Sequence, residues 1–233
     1  QEMITVISGA TGGVGTATAE LFASKGNNLV LLGRNHEKLS SLAKRIEDLY
    51  NIDVHLYECS VEDRESLSNA IKKINLLSKN LVLLINIAGV FPYGPLMNET
   101  EIDYNNCMDV NLRLPYLLSK GLFTSLEENG GGKIINIGSS SSYSGFRNTV
   151  TYCASKHALL GFSRALNDEW KESGVSVHCI SPGTINTEMA NILDQDKSTY
   201  IEVDEFAELI YDVSRYKGNM IVDEVRAIRK IIR

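Results

Sequence analysis

The sequence predicts an α/β protein with a doubly wound parallel sheet of roughly seven strands, flanked by helices on both faces. Three observations predict it. Short β-branched runs alternate with longer stretches of helical period along the whole chain, and the short runs are apolar on both faces rather than one. Strands buried on both sides belong to a parallel sheet covered by helices, and right-handed crossovers wind that sheet in two directions. The 233 residues suffice for one continuous core, and no Pro/Ser-rich linker, composition break or internal repeat divides them. The expectation is a single domain over residues 1–233.

In chain order, apolar runs place strands at residues 3–8, 29–33, 54–58, 82–86, 133–138, 175–181 and 220–223. Helical period fills the intervals at 13–25, 37–50, 63–78, 101–128, 152–173 and 204–211. Residues 130–132 are three consecutive glycines between a helix and a strand, which reads as a tight turn rather than a linker. The dense basic stretch 226–233 is interleaved with Ile and Val, and reads as a terminal amphipathic helix or a strand extension.

Composition narrows the function classes. The hydrophobic fraction of 43% and charged fraction of 22% are those of a folded globular protein. A net charge of −6 with scattered basic residues gives little electrostatic support to tracking nucleic-acid phosphates. Cys59, Cys107, Cys153 and Cys179 lie far apart, and the four histidines are dispersed, so no metal site is expected. Reduced cysteines in the cytoplasm are the simplest reading. No secretory leader or membrane span is expected, since no apolar run approaches the roughly 18 residues a span requires.

The first strand runs into Ser8-Gly9-Ala10-Thr11-Gly12-Gly13-Val14-Gly15, which opens the first helix. Glycines here permit a tight turn, let the backbone approach a pyrophosphate at the helix N-terminus, and let the helix pack closely on the sheet. A structural turn would use the same residues, but its place inside a βαβ unit favours a dinucleotide, with contacts at Gly9, Thr11, Gly13, Val14 and Gly15. The second strand ends at Leu32-Gly33-Arg34-Asn35. An acid at this point bonds the adenosine ribose 2′-hydroxyl, whereas an arginine accommodates a 2′-phosphate through charge-assisted bonds. Arg34 therefore favours NADP(H) over NAD(H), with NAD(H) and a merely solvated arginine as the alternatives.

Further motifs follow in fixed order: Asn86-Ile87-Ala88-Gly89, Asp109-Val110-Asn111-Leu112, Ser139, Tyr152-Cys153-Ala154-Ser155-Lys156, and Pro182-Gly183-Thr184-Ile185-Asn186-Thr187. Together with the glycine loop they make the chain resemble the short-chain dehydrogenase/reductase family over roughly residues 3–189, with Ser8 in place of the usual Thr and Ile87 in place of a second Asn. The resemblance implies a Rossmann-type fold and a catalytic set of Asn111, Ser139, Tyr152 and Lys156. It also implies cofactor contacts at Asn86, Ala88, Gly89, Tyr152, Lys156, Pro182, Gly183, Ile185 and Thr187. Ser60 and Val61 stand where the family often has an Asp-Val/Leu pair near the adenine.

The chemistry is also legible in the residues. Tyr152 and Lys156 are four apart, so a helix presents them on one face. A phenol titrates near 10, and a neighbouring ammonium, helped by an oxidised nicotinamide ring, is expected to lower it toward a useful acid/base. Ser139 can hold a substrate oxygen and stabilise developing alkoxide charge. Pro115, four residues after Asn111, has no N–H to offer the Asn111 carbonyl. The resemblance implies that this carbonyl holds a water linking Lys156 to solvent; a kink that improves packing is the alternative.

The expected reaction is hydride transfer between NADP(H) and a small carbonyl or alcohol. A 3-oxoacyl-thioester reductase and a non-catalytic cofactor sensor are the other readings. Carrier-protein reductases of the family are expected to present basic helix ends to an acidic carrier, but these ends here read Leu126-Glu127-Glu128-Asn129 and Asp168-Glu169-Trp170-Lys171-Glu172. A sugar-nucleotide enzyme would need a larger C-terminal region than the residues after Thr187 supply. Residues 188–201 form a short substrate loop, and Phe91, Tyr93, Tyr143 and Phe146 are candidate apolar walls. The long helices resemble those that pair subunits in the family, so a homodimer or homotetramer is expected. Leu159, Phe162, Leu166 and Trp170 fit either that seam or the sheet.

Overall fold

The computed structural model describes residues 3–77 and 80–230. Seven strands form one parallel sheet: β1 (Ile4–Ser8), β2 (Asn28–Gly33), β3 (Val54–Glu58), β4 (Leu81–Asn86), β5 (Lys133–Ile137), β6 (Ser176–Pro182) and β7 (Glu224–Ala227). Their order is β3-β2-β1-β4-β5-β6-β7, so the chain winds outward one way from β1 to β3 and the other way from β4 to β7. The switch between β1 and β4 opens a crevice beyond the carboxyl ends of the strands, the place where such sheets bind ligands.

The helices are α1 (Gly13–Ser24), α2 (His36–Leu49), α3 (Arg64–Leu76), α4 (Glu101–Met108), α5 (Leu114–Glu128), α6 (Val150–Trp170) and α7 (Val203–Arg215). They cover both faces because strand residues alternate in direction. Ile7, Leu29 and Leu31 pack with Phe22 of α1, Leu39 and Ile46 of α2, and Phe206 and Ile210 of α7. Their neighbours Val6, Val30 and Leu32 point the other way, onto Leu67 and Ile74 of α3 and Leu118 and Leu122 of α5. The double-sided apolar runs of the sequence are these two cores.

Several boundaries depart from the sequence reading. The helix expected at 101–128 is interrupted: residues Asp109–Arg113 wind as a π-turn, in which the Leu114 N–H reaches the carbonyl of Asp109. Proline within an apolar helix shifts hydrogen bonding without ending the hydrophobic stripe, so periodicity alone did not reveal the interruption. The last strand falls at Glu224–Ala227 rather than 220–223. Met220 and Ile221 are instead exposed, because pairing with β6 runs from Cys179↔Glu224 to Pro182↔Ala227. That strand takes in the start of the basic stretch, whose end at 231–233 lies outside the described residues, as does the Ser78 end of the third expected helix. The expected helix at 204–211 extends to Val203–Arg215. Residues 188–201 carry two short 3-10 turns, Glu188–Ile192 and Lys197–Thr199, fastened by a bridge between Ile185 and Ile201.

Candidate active site

A continuous cleft of about 1400 Å³ runs along the carboxyl ends of the strands. At one end lies the β1–α1 turn. Gly9 has φ +69°, and a side chain there would put its Cβ 2.5 Å from the Ala88 nitrogen. A Cβ on Gly15 would overlap the carbonyl oxygen of Gly9, and one on Gly13 would stand 3.2 Å from the Thr187 side chain. Only bare backbone leaves this cradle open. No side chain caps the N-terminus of α1, so its unpaired N–H groups and positive dipole end face the cleft. These features fit a bound pyrophosphate. Ser8 ties the turn to the next crossover, its Oγ accepting from the N–H groups of Ile87 at 3.2 Å and Ala88 at 3.4 Å.

Thr11, Val14, Arg34, Ser60, Val61, Ala88, Gly89, Pro182, Gly183, Ile185 and Thr187 all line the same cleft. Lys38 joins them beside Arg34, a cation that the sequence reading passed over. Its signal was local: Asn35 caps α2 by accepting from the Lys38 N–H at 2.9 Å, which sets Lys38 in the first helical turn directly after Arg34. Ser60 accepts from the Glu62 N–H at 3.2 Å and so shapes the loop after β3. Asn86 does not line the cleft. Its amide donates to Asn136 Oδ1 at 2.8 Å on the neighbouring strand, and Asn136 in turn donates to Ser163 at 2.9 Å. Facing asparagines in register, Asn86↔Asn136, draw the side chain into the sheet instead.

At the other end stand Ser139, Tyr152 and Lys156. Ser139 follows β5 and opens a short turn; its Oγ accepts from the Ser141 N–H at 3.1 Å, and its N–H donates to Ser142 Oγ at 3.1 Å. Of the four serines, Ser139, Ser140 and Ser141 line the cleft, and Ser141 and Ser142 fasten Ser139 through these two bonds. Ser139 also lies near enough to Tyr152 to pull the phenol's titration down. Tyr152 presents its ring edge-to-face with Phe91, centroids 4.6 Å apart, and Phe91 packs on Tyr93 at 5.8 Å. Tyr143 does not line the cleft: its hydroxyl donates to Glu224 Oε2 at 2.9 Å, an anchor on β7 that no local pattern could announce.

The electrostatics correct one expectation. Burial pushes the Tyr152 phenol up to about 12; Ser139 pulls against this, and Cys107 and Cys153 add to it. Lys156 does not dominate, because its Nζ donates to the Ile137 carbonyl at 2.8 Å and lies 5.7 Å from the Tyr152 ring centroid. Burial in turn lowers Lys156 to about 8.

Asn111 sits in the π-turn behind the site, fully buried and off the cleft wall. Its Oδ1 accepts from the Val90 N–H at 2.8 Å, while its Nδ2 donates to the Val90 carbonyl and to Ser155 Oγ, both at 3.0 Å. One side chain thus joins the β4 loop to the face of α6 that carries Tyr152 and Lys156. On the outer helices, Leu159 is buried, and Leu166 and Trp170 pack toward the sheet, with Trp170 against Phe123 at 4.3 Å. Phe162 meets Tyr116 at 6.3 Å.

The family model described as short chain dehydrogenase matches residues 3–198. The chain belongs to this family. It is similar to the 3-oxoacyl-(acyl-carrier-protein) reductase FabG of Rickettsia conorii, with 33% identity over 190 residues, 82% of this chain and 76% of that protein. It is also similar to an uncharacterized oxidoreductase of Staphylococcus saprophyticus, with 27% identity covering 97% of this chain and 96% of the other. Among solved structures, an alcohol dehydrogenase of Thermococcus sibiricus complexed with 5-hydroxy-NADP superposes with a TM-score of 0.89 at 23% identity, covering 98% of this chain and 97% of that one. A short-chain dehydrogenase of Sphingobium yanoikuyae in complex with NADPH gives 0.82 at 25% identity, covering 97% and 87%. Among the described residues of this family member no helix is long and apolar enough to cross a membrane, and no cluster of metal-ligating side chains occurs.

Proposed function

We propose that the protein is an NADP(H)-dependent oxidoreductase that interconverts a small carbonyl compound and its alcohol, with Tyr152 as acid/base. The observation that carries this is one cleft with a glycine cradle and Arg34 at one end and the Ser139–Tyr152–Lys156 group at the other. Gly9, Thr11, Gly13, Val14 and Gly15 would hold the pyrophosphate. Arg34 and Lys38 would hold the 2′-phosphate, Ser60 and Val61 the adenine end, and Ala88, Gly89, Pro182, Gly183, Ile185 and Thr187 the remainder. A bound nicotinamide supplies or accepts the hydride.

The protein's own side chains handle the proton and the substrate oxygen. With its phenol raised to about 12, Tyr152 is protonated at neutral pH and donates to the carbonyl oxygen during reduction. Ser139, oriented by its turn, hydrogen-bonds the same oxygen and stabilises the charge that develops there. Lys156 holds positive charge beneath the site, and Asn111 keeps the β4 loop and α6 in register. Pro115 cannot donate to the Asn111 carbonyl, so that oxygen lacks its ordinary helical partner and would accept from a water that returns protons toward Lys156. Residues 188–201 act as a short substrate loop. The relatives named as 3-oxoacyl reductases favour a second reading, a 3-oxoacyl thioester, against which stand Glu127, Glu128, Asp168 and Glu169 at the outer helix ends.

We take the single domain over 1–233 as the working unit and the cytoplasm as its compartment, which accords with four free, buried cysteines. The exposed Tyr104 and Tyr116 on α4 and α5 support a homodimer or homotetramer, which size-exclusion chromatography with light scattering tests. The function is tested by NADPH consumption against ketones, aldehydes, diketones and 3-oxoacyl thioesters. Tyr152→Phe is expected to lower the turnover of every active compound by about a hundredfold or more. Turnover that survives the substitution overturns the assignment of Tyr152.

A further inference from the structure

Three arginines line the cleft, Arg34, Arg147 and Arg229, and none forms an ion pair among the described residues. The arginines that do, Arg45, Arg113, Arg164 and Arg215, all lie outside it. Arg34 serves the adenosine end. Arg229 is tethered, its Nη1 donating to Thr199 Oγ1 at 3.0 Å. Arg147 has no hydrogen bond, ion pair or ring contact to another described residue.

The backbone around Arg147 is nevertheless fixed. Asn148 is the one non-glycine among the described residues with a positive φ, +65°. Its carbonyl accepts from the Gly94 N–H at 2.9 Å, and Thr149 Oγ1 donates to the Phe146 carbonyl at 2.9 Å. Such strain persists where the surroundings over-determine it. Gly94 follows Tyr93, so the aromatic series Tyr152, Phe91, Tyr93 leads from the reacting centre to the loop that bears Arg147. Of the acids that share the cleft, Glu20 is paired with Arg45, Glu62 adjoins Ser60, and Glu188 and Asp204 follow Thr187 and Val203, which both face Gly13.

We propose that Arg147 receives an anionic group of the substrate. The substrate class is then an oxo acid or its hydroxy acid, with the reacting carbon at Tyr152, an apolar body along Phe91 and Tyr93, and a carboxylate or phosphate at the far end. A guanidinium meets either anion through charge-assisted, bidentate bonds, and a fixed loop reduces the ordering cost. The inference rests on the carbonyl-reductase reading above.

Calorimetric titration of the NADP+-loaded protein with 4-acetylbenzoate, its methyl ester and 4-acetylphenyl phosphate tests it, with NADPH oxidation followed in parallel. In the native protein at least one of the two anions is expected to bind about tenfold more tightly than the ester. In Arg147→Gln that preference disappears while ester binding is unchanged, and the anion that loses more identifies the group recognised. Equal binding of anions and ester overturns the proposal. So does a preference that survives Arg147→Gln, or no binding of any of the three at millimolar concentration. Failure of the underlying reading is separately visible, as a protein that does not bind NADPH at all.

Discussion

Replacing Lys156 by Met should make the protein more stable while abolishing its activity. Lys156 is 5% exposed, and burial lowers its ammonium from 10.5 to about 8. At pH 7 the lysine is protonated in both the folded and the unfolded chain. The folded state therefore carries a desolvation cost of about 3 kcal/mol, at roughly 1.4 kcal/mol per pH unit. Removing the side chain also removes its hydrogen bond to the Ile137 carbonyl at 2.8 Å, a loss of about 1.5–3 kcal/mol for a charged donor. The difference leaves Lys156→Met more stable by up to about 1.5 kcal/mol at pH 7, which raises Tm by up to roughly 6 °C for a chain of this length. The sign of the pH dependence is a second check. Below pH 8 the native protein bears the full cost. Between about 8 and 10.5 the unfolded chain retains more protons than the folded one, so native stability rises with pH by up to about 3 kcal/mol. Lys156→Met should lose that rise. Urea unfolding at pH 7 and pH 10 with an NADPH assay measures all three quantities. A variant less stable than the native protein at pH 7, with an unchanged pH slope, would refute the reasoning.

Arg34→Ala should weaken NADPH binding by about 10–100-fold and leave NADH affinity unchanged, as fluorescence titration would show; equal affinities in the native protein would defeat the cofactor preference. Gly15→Ala forces a Cβ onto the Gly9 carbonyl oxygen, so it is expected to cost about 3 kcal/mol or more and to abolish NADPH binding. Full binding by a stable Gly15→Ala protein would contradict the cradle. Glu224→Ala releases both Arg164, whose Nη2 donates to Oε2 at 3.0 Å, and the Tyr143 hydroxyl at 2.9 Å. A destabilisation of about 1–2 kcal/mol in urea is expected, and none at all would mean that β7 is held by its ladder alone.

By itself the sequence determined the sheet, the glycine-rich turn and the candidate catalytic side chains, because each depends on residues close together in the chain. Strands apolar on both faces identify a covered parallel sheet, a glycine-rich turn after a strand identifies a cradle, and a four-residue spacing puts Tyr152 and Lys156 on one helical face. Tertiary structure decided what depends on distant partners. Asn86 turned away from the cleft because Asn136 stands in register beside it, and Tyr143 because Glu224 reaches it from the last strand. The last strand itself was displaced because ladder register, not hydrophobicity, selects which residues pair. The Tyr152 phenol rose rather than fell because its titration is governed by burial, and burial is a property of the assembled fold. Arg147 and Arg229 reach the cleft by way of loops remote in sequence, so no local pattern could have marked them. Spacing along the chain fixes which groups share a face, whereas only packing sets the dielectric and the partners they meet there.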